Sequence, residues 1–231
     1  GDTTPLWDVQ SFDGTPMNLA SRPVLTTGEA RHVGDTVALV VAEDPGAAAD
    51  AAAAVEVDWE PLPSVTDPAL APDADVPPVH AGFETNVSYD FRSGDAEAVE
   101  AAMKAAAHGT ALTLRNNRLA PNPIEPRAVI GNFDRGTGRY TLWTTNQNPH
   151  LIRQWLSRDT LHAPEQDIRV VSPDVGGGFG QKCYHYPEEA SVLWASKLVG
   201  RPVRWTATRS ESSAVDTHAR DHFPACRVAL E

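Results

Sequence analysis

Apolar and polar positions along this chain alternate in short blocks, separated by proline- and glycine-rich breaks. Residues 36–42 form a β-branched, apolar run that predicts a buried strand. Asp44 followed by Pro45 is a helix-start signal, and the alanine-rich 46–54 predicts the helix it opens. Residues 55–60 alternate apolar and acidic side chains, as in a half-buried strand. Residues 61–78 are rich in Pro, Asp and Ala with little apolar periodicity, so they read as an extended linker or a long surface loop.

Farther along, 86–91 predicts a strand. Residues 94–107 predict a helix with acids in its first turn, where the helix dipole favours them, and Gly109 supplies a stop. Strands are predicted at 110–115 and 128–133. The turn Asp134-Arg-Gly-Thr-Gly138 leads into another at 139–145, which makes this pair a hairpin. Asn148-Pro149 opens a helix carrying Leu151, Ile152, Trp155 and Leu156 on one face. A strand at 168–171, a helix at 187–199 closed by Gly200 and a strand at 203–208 follow. Residues 1–36 are irregular by pattern, and 225–231 reads as an unfinished strand. The fold class is α+β.

Bulk properties narrow the function. With 231 residues the chain can hold one large domain or two modest ones. A net charge of −12 argues against nucleic acid or an anionic membrane as partner. No apolar run approaches the roughly 20 residues that span a bilayer, and no signal peptide is visible. Cys183 and Cys226 are too few for a disulfide framework and read as reduced thiols in a cytoplasmic protein. The chain starts without methionine and is read as a fragment of a longer polypeptide.

The segment with most chemical content is Ser172-Pro-Asp-Val-Gly-Gly-Gly-Phe-Gly-Gln-Lys182. Glycines let a backbone adopt positive φ and approach a ligand closely, so such a loop can aim several N–H groups at an anion or oxo group. The same composition also makes a tight surface turn. It fits neither a dinucleotide fingerprint, since Gln181 stands where the last glycine belongs, nor a phosphate-binding loop, since Gln181 precedes Lys182 and Cys183 follows. Gln147 sits where a strand gives way to a helix, a position from which loops often act. Its neutral amide can donate without adding charge. His218 and His222 have i, i+4 spacing but lack the glutamate of a helical zinc protease site. Glu188 and Glu189 are explained by the dipole of the helix they open.

Four segments in order resemble the molybdenum hydroxylase family of xanthine dehydrogenase, aldehyde oxidase and aerobic carbon monoxide dehydrogenase. They are Arg31-His-Val-Gly-Asp-Thr-Val-Ala-Leu-Val-Val-Ala42 with Val55-Glu-Val-Asp-Trp-Glu-Pro-Leu-Pro63, then Asn117-Arg-Leu-Ala-Pro-Asn-Pro-Ile-Glu-Pro-Arg127, then Trp143-Thr-Thr-Asn-Gln-Asn-Pro-His150, and the glycine loop. The resemblance implies the end of a small α/β hammerhead domain at 1–67, a linker at 68–83, and the truncated first part of a molybdopterin-binding domain at 84–231. The chain would be the central part of the molybdenum-binding large subunit.

The resemblance also implies roles. Gln147 would lie beside the metal's oxo group. Gly176, Gly177, Gly178, Phe179 and Gly180 would contact the cofactor, with Phe179 shielding the metal from water. Asn122, Glu125 and Arg127 would lie near the substrate channel, or else Glu125 and Arg127 would pair and hold their loop. Cys183 stands where xanthine-type members carry a purine-binding glutamate, which leans toward carbon monoxide dehydrogenase-like and aromatic-heterocycle branches. No residue here is a direct metal ligand, and neither Cys183 nor Cys226 matches the copper-bridging cysteine. The implied reaction is oxidative hydroxylation of an aldehyde, N-heterocycle or CO-like substrate, with water as oxygen source. The implied cofactor is molybdenum in molybdopterin cytosine dinucleotide. FAD and [2Fe-2S] clusters would sit on partner subunits or domains, and the general base would lie outside this chain, leaving it inactive alone. The competing expectation is a non-catalytic piece that only packs against partner subunits.

Overall fold

The computed structural model describes residues 2–3 and 10–230. Part of the stretch predicted to be irregular, and the last residue of the unfinished strand, lie outside the described residues. The chain forms two compact units, each assembled from separated segments.

The first unit holds residues 20–62 and 120–218, with Asp2 and Thr3. Its first helix, α1 (Pro45–Ala53), starts where the sequence predicts: the Asp44 carboxylate accepts from the Ala47 N–H at 2.9 Å. A four-stranded sheet follows, built from β2 (Ala128–Asp134), β3 (Arg139–Thr144), β4 (Ile168–Val171) and β5 (Val203–Thr206) in the order β4-β3-β2-β5. β2 and β3 make the predicted hairpin, with Asp134 opposite Arg139. Asp134 holds its turn by accepting from the Gly136 N–H and the Thr137 hydroxyl. β5 joins β2 antiparallel, and β4 joins β3 parallel. Between β3 and β4 lies α3 (Pro149–Trp155), extended by a wide π turn over Leu156–Thr160. Ile152 and Leu156 of its predicted apolar face are fully buried. Leu151 of that face stays exposed.

α4 (Pro187–Val199) lies across the sheet and ends at Gly200, whose φ of +69° is the left-handed stop expected there. Val192 and Leu193 pack into a core with Val129, Leu142, Ile152, Leu156 and Ile168. Gly131 on β2 makes this close packing possible. A Cβ there would stand 2.7 Å from the Leu193 backbone nitrogen. A short helix that the pattern did not predict, α5 (Arg209–Val215), closes the unit. Thr208 and Glu211 cap it reciprocally.

The second unit holds residues 10–19, 63–119 and 219–230 among those described. α2 (Ala96–Ala105) is capped by Asp95 and packs on a two-stranded ribbon of β1 (His108–Thr113) and β6 (Ala225–Leu230). Gly109 is not the stop of α2 but part of β1. The helix ends because Ala106 turns to an extended conformation, φ −65° and ψ 140°.

Three predicted strands, 36–42, 55–60 and 86–91, form no ladder among the described residues. Scattered bonds such as Thr26 N–H to Thr36 C=O, Phe12 N–H to Asp90 C=O and Asn18 N–H to Ser88 C=O tie 36–42 and 86–91 to neighbouring segments. β-branched composition favours an extended backbone, but a strand also needs a partner in register, which a local pattern does not supply. No helix among the described residues is long and apolar enough to cross a membrane.

Candidate functional site

The site is built where two segments of the first unit meet: the exit of β3 and the glycine loop between β4 and α4. After Thr144 the chain continues Thr145-Asn-Gln-Asn148, and the last three of these are stitched in turn to the far end of the loop. Asn146 is buried. Its side chain donates to the Tyr184 carbonyl at 3.3 Å and accepts from the Asn148 N–H at 2.6 Å. Its carbonyl accepts from the Ser172 hydroxyl at 2.5 Å. Gln147 donates its backbone N–H to Lys182 C=O at 2.9 Å. Asn148 holds the N-cap position of α3, yet its side chain makes no cap and instead reaches Cys183 C=O at 3.4 Å.

The decisive contact is between the two motifs themselves. The Gly180 N–H donates to Gln147 Oε1 at 3.1 Å. Gly178 lies directly under that side chain, where a Cβ would stand 2.5 Å from Gln147 Cδ. The glycines thus divide into two jobs. Gly177 and Gly180 take φ of +97° and +85°, which L side chains avoid. Gly176 and Gly178 have no Cβ because Glu125 and Gln147 occupy the space. Phe179 also adopts positive φ, +51°, a strained choice for an aromatic residue that costs of order 1–3 kcal/mol. Its ring is 74% exposed, so it is no core aromatic in this unit.

Hydrogen-bond accounting over the loop shows what it can offer. The Gly176 N–H goes to Glu125 Oε2 at 2.8 Å and the Gly180 N–H to Gln147. The N–H groups of Gly177, Gly178 and Phe179 make no hydrogen bond among the described residues, and neither does the Gln147 Nε2 group. With its oxygen held by Gly180, the Gln147 amide is turned to donate. The result is a cluster of uncharged donors on a backbone stripped of side-chain bulk. That combination can accept an oxo or other anionic group at close range.

Two buried ionic groups brace this surface. Lys182 has a wholly buried side chain whose ammonium meets Glu125 Oε2 at 2.8 Å. Partial burial would raise the Glu125 carboxyl pKa. The Lys182 hydrogen bond and the Gly176 N–H outweigh it and hold the carboxyl below its usual range. Arg127 is buried too, and it does not pair with Glu125. It binds Asp216 at 2.6 Å and Glu188 at 2.9 Å, with the Tyr186 ring 3.7 Å from its guanidinium carbon. Burial opposes the Arg127 cation, but Glu188 and Asp216 more than offset that and push its pKa up.

Asp216 also accepts from the Gln181 side chain, and the Tyr186 hydroxyl donates to Gln181 C=O at 2.8 Å. Burial raises the Tyr186 pKa, so its phenol keeps that proton. Glu188 therefore does more than favour a helix dipole. So does Glu189, which is buried and accepts from Thr144 and pairs with His185 Nδ1 at 2.7 Å. Arg209 pins the proline-rich loop by donating to Asn122 Oδ1 and to Ile124 C=O at 2.7 Å. Cys183 is half-buried and free, immediately beyond Lys182. Asn146, Lys182 and Asp216 were not singled out by sequence reasoning, because a polar residue in a polar run looks like surface until its partners are known.

Comparison with known proteins shows the family to which the chain belongs. Residues 79–231 match the molybdopterin cofactor-binding domain, and residues 8–63 match the α/β hammerhead domain of aldehyde oxidase and xanthine dehydrogenase. The chain is 32% identical to the carbon monoxide dehydrogenase large chain of Afipia carboxidovorans, over 94% of this chain and 29% of that protein. It is 34% identical to the nicotine 6-hydroxylase large subunit of Paenarthrobacter nicotinovorans, over 90% and 25%. Among solved structures, quinoline 2-oxidoreductase from Pseudomonas putida 86 superposes with a TM-score of 0.85 at 31% identity, over 93% of this chain and 27% of that one. The chain spans about a quarter of the length of these relatives. It belongs to the molybdenum hydroxylase family of xanthine dehydrogenase, aldehyde oxidase and carbon monoxide dehydrogenase, and carries the end of the hammerhead domain followed by molybdopterin-binding domain sequence of the large subunit.

Proposed function

We propose that this chain forms one wall of the molybdenum–pterin site in an enzyme that oxidatively hydroxylates its substrate with water as oxygen source. The observation that carries the reading is the Gly180 N–H bond to Gln147 Oε1, which joins the two motifs into one donor surface. The residues present fit the group. A molybdenum–pterin centre presents oxo and other anionic oxygens, and the loop offers the open N–H groups of Gly177, Gly178 and Phe179 with the Gln147 amide beside them. When bound, that centre supplies a two-electron redox couple and an activated, water-derived oxygen.

The chain's own residues act by placement. Gln147, its amide oriented by the Gly180 N–H, would donate to an anionic oxygen of the bound group without first having to reorganise. Phe179 and Ile124, 74% and 93% exposed, offer an apolar border that would exclude water and strengthen these bonds. The buried Arg127 network and the Lys182–Glu125 pair keep the donors in register. The pterin is the cytosine dinucleotide form, and electrons leave to [2Fe-2S] clusters and FAD on partner subunits. The general base lies outside these residues, so the isolated chain is inactive. For substrate class, the names of the compared relatives point to N-heterocycles and carbon monoxide. Cys183 in place of a purine-binding glutamate supports that direction over xanthine.

Gln147→Ala in the assembled, molybdenum-replete enzyme tests the reading. Reduction by substrate should slow about tenfold to a hundredfold, about 1.4–2.7 kcal/mol, less than a lone oxyanion donor because neighbouring amides remain. An unchanged rate at full molybdenum occupancy would leave Gln147 as a helix-start residue only.

A further inference from the structure

We infer that Glu125 and Lys182 are a positioning pair that sets the shape of the glycine loop. The inference rests on the proposed cofactor role of that loop.

Geometry points to the pair from both ends. Lys182 follows the loop directly, and its side chain has no accessible surface, whereas the Glu125 side chain is 35% exposed. A buried ammonium needs a counter-charge, and Glu125 Oε2 supplies one at 2.8 Å. The same oxygen accepts the Gly176 N–H at 2.8 Å, and the Glu125 N–H returns a long bond to Gly176 C=O at 3.4 Å. One carboxylate therefore holds the first glycine of the loop and the residue that follows its last turn.

The fit is close. A Cβ on Gly176 would stand 2.6 Å from Glu125 Cβ, so the two segments pack closely there. Glu125 is itself placed from outside the loop. It follows Pro123 and Ile124, whose segment Arg209 clamps through Asn122 and the Ile124 carbonyl. The loop's remaining internal bonds, Gln181 N–H to Gly178 C=O and Cys183 N–H to Gly180 C=O, are short-range turns that fix no end. Both strong interactions of Glu125 converge on one oxygen, Oε2, and tie the carboxylate to the loop. Its loss would free Gly176 and strand Lys182 together.

The test uses the full-length large subunit assembled with its partner subunits. Glu125→Gln, Lys182→Met and the double variant are compared by amide hydrogen exchange and by molybdenum content per subunit. Glu125→Gln should speed exchange in peptides covering 172–182 about tenfold or more, as expected for losing a charge-assisted bond, with β2 and β3 peptides unchanged. Molybdenum content should fall with it. The double variant removes the stranded cation. It should therefore regain wild-type thermal stability while the loop stays fast, which keeps the test valid if Glu125→Gln folds poorly. Unchanged loop exchange in the double variant overturns the inference. So does faster exchange spread evenly over the sheet, which would mark the pair as general structural support. Faster loop exchange with wild-type molybdenum content would leave the clasp standing and overturn the cofactor role of the loop.

Discussion

Replacing Gly178 with alanine separates the site from the fold. Gly178 does not have positive φ, so alanine meets no backbone penalty there. The whole cost is steric: the new Cβ would stand 2.5 Å from Gln147 Cδ and 2.9 Å from Cγ. The obstacle is the end of a flexible, exposed side chain, so it gives way. Gln147 must leave its rotamer or swing out, at about 0.5–1.5 kcal/mol. It also gives up the Gly180 N–H bond, another roughly 0.5–1.5 kcal/mol. Swinging into water recovers part of both, so the global stability loss should be about 1 kcal/mol. Activity should suffer more, because the displaced amide no longer donates toward the cofactor. Reduction by substrate should slow by about tenfold or more, as for Gln147→Ala.

Gly131→Ala is the control. There the same single methyl meets the α4 backbone at 2.7 Å, which cannot swing aside, so stability should fall by about 1–3 kcal/mol or more. Urea unfolding of both variants and rapid-mixing reduction of the assembled enzyme measure the two effects. If Gly178→Ala reduces at the wild-type rate with full molybdenum, or if it destabilises as much as Gly131→Ala, the assignment of Gly178 to Gln147 clearance is wrong.

Arg127→Ala should cost about 3–5 kcal/mol, because Asp216 and Glu188 would be left facing each other around a buried gap; thermal melting checks it, and a loss under 1 kcal/mol contradicts a buried network. Tyr186→Phe should cost about 1–3 kcal/mol by leaving the Gln181 carbonyl without its donor, read from the same melts. The Glu125 carboxyl is held below its usual pKa, so its contribution is complete above the ordinary glutamate range and is lost as pH falls through the lowered folded value. Acid titration of stability should therefore show wild type and Glu125→Gln converging at low pH. A difference that stays constant across the acid range excludes this linkage.

The sheet of the first unit was legible because each element carried its own punctuation. Asp134 and Gly138 mark the hairpin, Pro187 and Gly200 bracket α4, and the apolar face of α3 shows a helical period. α5 was legible in principle, since Thr208 and Glu211 are a capping box, but seven Ser-rich residues give no apolar stripe to follow. A β-branched or alternating pattern does not by itself make a paired strand, as 36–42 and 55–60 show: they join no ladder among the described residues. At the site, the meeting of Gln147 with the glycine loop followed from the family motifs. The bracing did not. Arg127 was expected to meet Glu125 two residues away, and instead reaches Asp216 and Glu188. Those partners lie 89 and 61 positions along the chain, and only the fold brings them in.

The central claim is that Gln147 and the glycine loop together face the molybdenum centre. The most direct measurement is an experimental structure of the assembled, cofactor-loaded enzyme. The account predicts a ligand oxygen of the metal about 2.7–3.2 Å from Gln147 Nε2, with at least one N–H of Gly177, Gly178 or Phe179 in similar reach of the metal's ligands or the pterin. A cofactor bound with neither the amide nor any of those three N–H groups within hydrogen-bonding distance would contradict it.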